Sequence, residues 1–277
     1  MTYVEAYDWG KNRLTECQVP DAEWDAWLLL EYVTGMKRAE YLLRQRENMG
    51  RAAEEQYCHM IQQRERRIPL QHLTGEVEFM GLSFSVDSNV LIPRQDTEIL
   101  VELALAEVEG KQILDVCTGS GCIAIALQKL GNPEVCHGVD LSPQALAVAQ
   151  TNCKRLDAEV SFWQSDLFAQ VTESYDVITS NPPYIASAII PELMPEVREH
   201  EPVMALDGGA DGCGFYRRLA AEAKKYLRDD GQLYLEIGYD QGQTVVGLLQ
   251  ENGFEEIRIH QDLAGHDRVV SAVWHVS

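Results

Sequence analysis

Four consecutive residues, Asn181-Pro182-Pro183-Tyr184, have side chains suited to holding a planar NH2 group. Two prolines in a row fix φ and remove two backbone donors. What remains to face a ligand is acceptors, the Asn181 side-chain oxygen and the Pro182 carbonyl, which match a group with two hydrogens to donate. Tyr184 adds an aromatic face on which a planar group can stack. An amide nitrogen is a poor nucleophile because its lone pair is delocalised into the carbonyl. Hydrogen bonds to both N–H groups orient that nitrogen, favour partial pyramidalisation and aim the lone pair at an electrophile. Catalysis of this kind is mostly positioning and electrostatics. It needs no strong base beforehand, since the nitrogen is acidic after transfer and sheds its proton then.

A second motif is a strand, a glycine turn and a helix start, running Ile113-Leu114-Asp115-Val116-Cys117-Thr118-Gly119-Ser120-Gly121-Cys122-Ile123-Ala124. Turn glycines let a ligand approach the backbone, and Gly119-x-Gly121-x-x-Ala124 satisfies the pattern of a nucleoside-containing cofactor site. The next strand ends at Asp140, where an acid can accept hydrogen bonds from both ribose hydroxyls. The third leads to Asp166, placed to receive an adenine amino group, and Phe168, placed to pack on the ring. Asp115 stands just before the glycines. A carboxylate there crowds a pyrophosphate and suits a cationic amino group or sulfonium, which tilts the choice from a dinucleotide towards S-adenosyl-L-methionine without deciding it.

These motifs need a scaffold. From residue 111 onward, strands expected at 112–117, 135–140, 160–163, 175–180, 232–237, 257–260 and 268–274 alternate with helices at 122–130, 143–156, 214–228 and 240–251. That rhythm predicts an α/β fold with a mostly parallel, doubly wound sheet. With strand order 3-2-1-4-5, the tetrapeptide after strand four lies beside the glycine loop after strand one, at the switch point where ligands bind. Upstream, residues 1–75 read as short amphipathic helices, among them 22–33 with Asp21 as N-cap and Gly35 as stop, 39–46 and 51–67. Residues 75–87 alternate apolar and polar positions around Gly81, which predicts a β-hairpin, and a helix is expected over 96–108.

Composition narrows the partners. The 277-residue chain has a net charge of -21, from 44 acidic and 23 basic residues. Residues 1–75 hold 12 acidic and 10 basic side chains, so 32 acidic and 13 basic residues fall in the remainder. Duplex nucleic acid is recognised through basic stripes, and the larger segment would repel it. There is no apolar run long enough to span a bilayer, and no basic start followed by an apolar stretch, so the cytoplasm is expected. The seven cysteines include no C-x-x-C pair, which argues against a disulfide framework or a zinc site, and no metal is expected.

In these residues the chain resembles the protein glutamine-amide methyltransferases that modify peptide-chain release factors. The resemblance runs through 73–79, 90–94, Leu114-Asp115 with Thr118-Gly119-Ser120-Gly121, Asp140-Leu141-Ser142-Pro143, Asn181-Pro182-Pro183-Tyr184-Ile185, Glu201-Pro202, 208–212, Leu235-Glu236-Ile237-Gly238 with Gln241, and Asp262-Leu263 with Asp267-Arg268. It implies a helical substrate-recognition domain over 1–73, a hairpin linker over 74–93 and a seven-stranded Rossmann-like methyltransferase domain over 94–277. It implies methyl transfer to the glutamine of a Gly-Gly-Gln motif. Cys117, Thr118, Gly119, Ser120, Gly121, Asp140, Phe168 and Asn181 would line the cofactor, and Asn181, Pro182, Pro183 and Tyr184 would hold the glutamine. Two departures stand out: Gln95-Asp96 where members often have Pro-Glu, and Cys117 where they commonly have Gly. Two other substrates suit the same tetrapeptide, an adenine N6 on nucleic acid and a glutamine on a ribosomal protein.

Overall fold

The structure is a computed structural model and describes residues 1–276. The chain divides into two compact units, Met1–Glu76 with Met194–His200, and Val77–Leu193 with the residues from Glu201 onward.

The first unit is helical. Its elements are α1 (Tyr3–Glu16), α2 (Ala22–Thr34), α3 (Arg38–Arg44), α4 (Arg51–Glu65) and α5 (Leu70–Thr74). Helix α1 starts at a reciprocal capping box between Thr2 and Glu5, which satisfies two orphan donors at once. Helix α2 ends at Gly35 with φ 67°, as expected, but Asp21 makes no side-chain capping bond. With ψ near 45° its backbone lacks the extended conformation that aims a capping oxygen at the first turn. Tyr7, Trp27, Leu29, Leu30, Tyr57 and Ile61 form the core. The later segment, residues 194–200, joins this unit through ions. Arg64 Nη2 donates to Glu196 at 2.8 Å and Arg64 Nε to Asp25 at 2.7 Å, while Arg67 grips Glu196 with two donors at 2.6 and 2.7 Å.

The second unit opens with a hairpin, β1 (Glu76–Phe79) and β2 (Leu82–Ser85). Its turn residues, Met80 and Gly81, both have positive φ, the geometry that matches strand twist in a two-residue hairpin. Phe79 and Phe84 are buried with Leu100, Ile123 and Ile125, so the hairpin shares this unit's core. The expected 96–108 helix is a 3-10 turn over Gln95–Thr97 followed by α6 (Glu98–Leu105).

The remaining elements are β3 (Gln112–Val116), α7 (Cys122–Gly131), β4 (Val135–Asp140), α8 (Pro143–Arg155), β5 (Ser161–Gln164), β6 (Tyr175–Ser180), α9 (Pro195–His200, in the first unit), α10 (Gly214–Glu222), β7 (Leu227–Glu236), α11 (Gly242–Glu251), β8 (Glu255–Gln261) and β9 (Asp267–Trp274). The seven strands form one sheet in the order β5-β4-β3-β6-β7-β9-β8. All pairs from β5 to β7 are parallel, and β9 is antiparallel to both β7 and β8. The fold is therefore the expected seven-stranded α/β methyltransferase architecture. One boundary differs: the helix read as 214–228 stops at Glu222, because Leu227 is already paired with Tyr175 in the sheet. Central strands β3 and β6 are almost wholly buried, as parallel strands covered on both faces must be. Among the described residues no helix is long and apolar enough to cross a membrane.

Candidate active site

The glycine loop follows directly from the end of β3. Cys117, Gly119 and Gly121 all have positive φ, at 61°, 55° and 78°. A non-glycine residue in the left-handed region costs roughly 1 kcal/mol, which accounts for glycine being common where Cys117 stands. A Cβ on Gly119 would meet nothing within 4 Å, whereas one on Gly121 would lie 3.1 Å from both Ala149 and Phe162. Gly119 thus keeps open space beside the backbone, and Gly121 lets α7 pack closely. The loop is pinned by Thr118 N to the Val139 carbonyl at 3.0 Å and by Gly119 N to Asp140 Oδ2 at 2.8 Å.

Asp140 lies at the carboxyl end of β4. Its other oxygen accepts from Ser142 N at 2.8 Å. Burial pushes its carboxyl up, and the amide donors of Ser142 and Gly119 hold it down. Each oxygen keeps a further lone pair for a hydroxyl donor.

A cavity opens over this loop, bounded by Cys117, Thr118, Gly119, Ser120 and Asp140. Asp166, Asn181 and Pro183 complete the set of sequence-predicted residues on its wall. Asp166 is paired with Arg218 at 2.9 Å. Burial pushes the Cys117 thiol well up, so it faces the cavity as a neutral group.

Five predicted residues are set back from the wall. Phe168 is fully buried and stacks on Tyr226, with centroids 4.8 Å apart and planes 8° from parallel. The neighbouring Leu167, with φ 50°, turns to the cavity in its place. Phe168, expected to pack on a ligand ring, has one face against Tyr226 and is not among the residues that line the cavity. Asp115 has no exposed surface, and its two oxygens accept from Thr118 Oγ1 at 2.6 Å and Thr179 Oγ1 at 2.8 Å. Burial pushes its carboxyl up to about 7, opposed by those two hydroxyls. It braces β3 and β6 behind the loop and is not open to a cationic ligand as read. Gly121 serves packing, as above, and the Pro182 ring is buried.

Tyr184, the fifth, is held at both its side chain and its backbone. Its hydroxyl donates to Glu236 Oε1 at 3.3 Å, and its carbonyl accepts from Gln241 Nε2 at 2.9 Å. Gly212 and Gly208 lie against its main chain, where a Cβ would come within 2.4 and 2.8 Å of Tyr184 atoms. This accounts for glycine at 208 and 212.

The structure adds residues that spacing did not single out. Asn181 Nδ2 donates to Thr97 Oγ1 at 3.3 Å. Thr97 and Arg94 lie on the cavity wall, and Arg94 Nη2 donates to the buried Glu201 at 2.5 Å. Burial raises the Glu201 carboxyl, and Arg94 opposes that rise. Arg94, Glu201 and Glu236 all fall inside matching sequence segments, which was the available signal; their partners lie 52 to 107 residues away.

Residues 5–75 match the PrmC N-terminal domain, and residues 94–194 match the methyltransferase small domain. The release factor glutamine methyltransferase of Geobacter sulfurreducens is 40% identical over 271 residues, covering 97% of this chain and 95% of its own length. That of Clostridium acetobutylicum is 39% identical over 278 residues, covering 98% and 96%, and that of Deinococcus radiodurans is 40% identical over 263 residues, covering 94% of each. Among solved structures, a methyltransferase from Pyrococcus furiosus superposes with a TM-score of 0.56 at 18% identity, over 71% of this chain and 90% of that one. A 16S rRNA N2 G1207 methyltransferase from Thermus thermophilus, solved with AdoMet and guanosine, gives 0.52 at 17% identity, over 72% and 49%; at such identities the likeness is one of fold. Near-complete coverage at about two-fifths identity, together with the tetrapeptide seated beside the glycine loop, places this methyltransferase in the release factor glutamine methyltransferase family.

Proposed function

We propose that the protein transfers a methyl group from S-adenosyl-L-methionine to the side-chain amide nitrogen of the glutamine in the Gly-Gly-Gln motif of peptide-chain release factors. The observation that carries this reading is the position of Asn181. It follows the last residue of β6, and β6 is hydrogen-bonded to β3, from which the glycine loop departs. A nucleoside-shaped ligand on that loop and an amide on the tetrapeptide would therefore share one cavity.

The residues present fit the cofactor. Gly119 leaves room for close backbone approach. Asp140 offers lone pairs to a vicinal diol, and Leu141 and Leu167 supply apolar wall to the same cavity. When bound, the cofactor supplies an electrophilic sulfonium methyl. The chain's own residues do the rest. Asn181 presents an acceptor oxygen to one N–H of the glutamine amide, and the Pro182 carbonyl is available to the second. Pro183 keeps the turn rigid. Because these acceptors engage both hydrogens, the amide nitrogen is held in one orientation with its lone pair directed along the cavity. The gain is in preorganised geometry, and the proton is lost to solvent once the nitrogen has become acidic.

The substrate assignment is tested with purified protein, labelled cofactor and a release factor, followed by mass spectrometry of the product. One methyl on the Gly-Gly-Gln glutamine is the expected result. Label on nucleic acid alone, or on a ribosomal protein alone, would overturn it.

A further inference from the structure

The buried positions of α8 are Ala145, Leu146, Val148, Ala149 and Asn152. They recur at helical spacing, where an apolar side chain is expected each time. Asn152 breaks the pattern, and it has no exposed surface. A buried amide costs stability unless its polar atoms are paired, and here they are. Asn152 Oδ1 accepts from Ser85 N at 2.7 Å, and Nδ2 donates to the Ser85 carbonyl at 3.0 Å and to the Ser120 carbonyl at 3.0 Å. All three partners are main-chain atoms. An N–H only donates and a C=O only accepts, so the amide has one possible orientation.

These bonds join two distant parts of the chain. Ser85 is the last residue of β2, in the hairpin, whereas Ser120 belongs to the glycine loop and lies on the cavity wall. The Ser120–Gly121 peptide is held at both ends, its oxygen by Asn152 and its nitrogen by the Thr118 carbonyl at 2.8 Å. Gly119 and Gly121 flank Ser120 and both have positive φ. Glycines leave a loop many backbone conformations, so a tie at this point selects one of them. Asn152 is not among the residues that line the cavity. A second tie joins the same helix and the same strand: Arg155 donates to Ser85 Oγ at 2.8 Å and to Ser83 Oγ at 3.0 Å. Those two bonds go to the hairpin and not to the glycine loop. We propose that Asn152 is a positioning residue for cofactor binding, tying the Ser120–Gly121 peptide to the hairpin and so holding the loop in the shape that receives the cofactor. A loop ordered before binding has no ordering cost left to meet when the ligand arrives. The inference rests on the reading that S-adenosyl-L-methionine occupies this cavity.

Two variants test it. Asn152→Ala removes all three bonds, and Arg155→Ala loosens the hairpin alone. By calorimetry, Asn152→Ala should raise the Kd for S-adenosylhomocysteine, the demethylated cofactor, at least about tenfold, the order expected for losing a buried hydrogen bond and freeing a loop. Arg155→Ala should leave that Kd within about twofold of wild type, because the loop keeps its tie. In methylation assays the Asn152→Ala variant should show KM for S-adenosylmethionine raised by a similar factor, with kcat at saturating cofactor within about threefold of wild type, since no reacting group is touched. A wild-type Kd in Asn152→Ala that unfolds cooperatively, an equal loss in Arg155→Ala, or a loss confined to kcat would overturn the proposal. Another measurement uses the wild type and decides the matter if Asn152→Ala does not fold. In protein labelled with 15N-asparagine, the Asn152 side-chain NH2 signals, assigned by their contacts to Ser85 and Ser120, should shift when S-adenosylhomocysteine saturates the site. Unmoved signals would sink the proposal. Wild type that binds no S-adenosylhomocysteine would instead defeat the cofactor reading.

Discussion

At the scale of single residues, the site separates into groups that face the cavity and groups that hold them. Asn181 belongs to the first kind. Asn181→Ala should lower kcat by at least about a hundredfold, the magnitude associated with one preorganised polar contact, measured by steady-state methylation of a release factor. Unchanged turnover would remove the tetrapeptide from the mechanism. Asp140 is cavity-facing and also ties Gly119 and Ser142. Asp140→Ala should weaken S-adenosylmethionine binding at least tenfold by calorimetry, since lost hydrogen bonds to a charged group are worth about 1.5–3 kcal/mol. Asp115 is of the second kind, and its behaviour shows in stability. Its folded carboxyl is raised from 3.8 to about 7 by burial. The folded state therefore holds a proton that the unfolded chain gives up. That contribution to stability is complete below pH 4 and is lost as pH rises to about 7. In urea unfolding, Asp115→Asn should gain stability relative to wild type across that window, as a neutral amide needs no proton. Parallel pH curves for the two proteins would show that Asp115 does not titrate there.

At the scale of elements, the site is the meeting of two strand ends and a glycine-rich loop. The strands were legible because parallel, doubly covered strands are short apolar runs and the helices between them repeat at 3.6 residues. The strand order follows from right-handed crossovers and a chain that winds both ways from the middle. Element ends were less legible. The end of α10 is set by pairing of Leu227 with Tyr175, across more than fifty residues, and no local signal marks it. Helix α1 did have a local signal, the Thr2-x-x-Glu5 capping box, though the apolar pattern alone does not single it out. The loop over 208–214, matched in sequence only as part of the family pattern, packs closely against the tetrapeptide at Gly208 and Gly212. Gly212 has φ 72°, and a Cβ there would lie 2.4 Å from the Tyr184 carbonyl and 2.8 Å from Gln241 Nε2. Gly212→Ala should cost about 1–3 kcal/mol of stability and lower kcat, because relief of the clash moves the tetrapeptide. Thermal unfolding and steady-state kinetics read the two effects; a variant with wild-type kcat would separate the loop from the site.

At the scale of the whole molecule, the chain forms two units whose cores do not run in sequence order. Residues 194–200 pack with the helical unit, although they follow the tetrapeptide in the chain. The capture is electrostatic. Glu196, Arg64 and Asp25 are each less than 10% exposed at the side chain. Burial pushes the Asp25 carboxyl up despite its bond to Arg64, so the network is finely balanced and depends on every partner being present. Removing one partner of a buried ion network strands the others, at about 3–5 kcal/mol. Arg64→Ala should destabilise the helical unit by that amount. Trp9, Trp24 and Trp27 lie in this unit and Trp163 and Trp274 in the other, so in a Trp163→Phe/Trp274→Phe background tryptophan fluorescence during urea unfolding follows it; an unchanged midpoint would show that the network contributes nothing. The charge distribution acts at this scale too. The acidic excess is concentrated beyond residue 75, and a long-range repulsion of polyanions suits a protein substrate better than duplex nucleic acid.

The sequence by itself determined the fold class, the strand order, the glycine loop, Asp140 and the tetrapeptide. Each of these is a local pattern, or a local pattern repeated along the chain, and local backbone preferences carry it. Tertiary structure decided which of the neighbouring side chains reach the cavity. Phe168 and Leu167 are adjacent in sequence, yet the first is claimed by Tyr226 and the second faces the site. Asp115 reads as a ligand for a cation until Thr118 and Thr179 are seen to occupy both its oxygens. Thr97 and Glu236 lie far from the tetrapeptide in sequence, and only packing brings the first to Asn181 Nδ2 and the second to the Tyr184 hydroxyl.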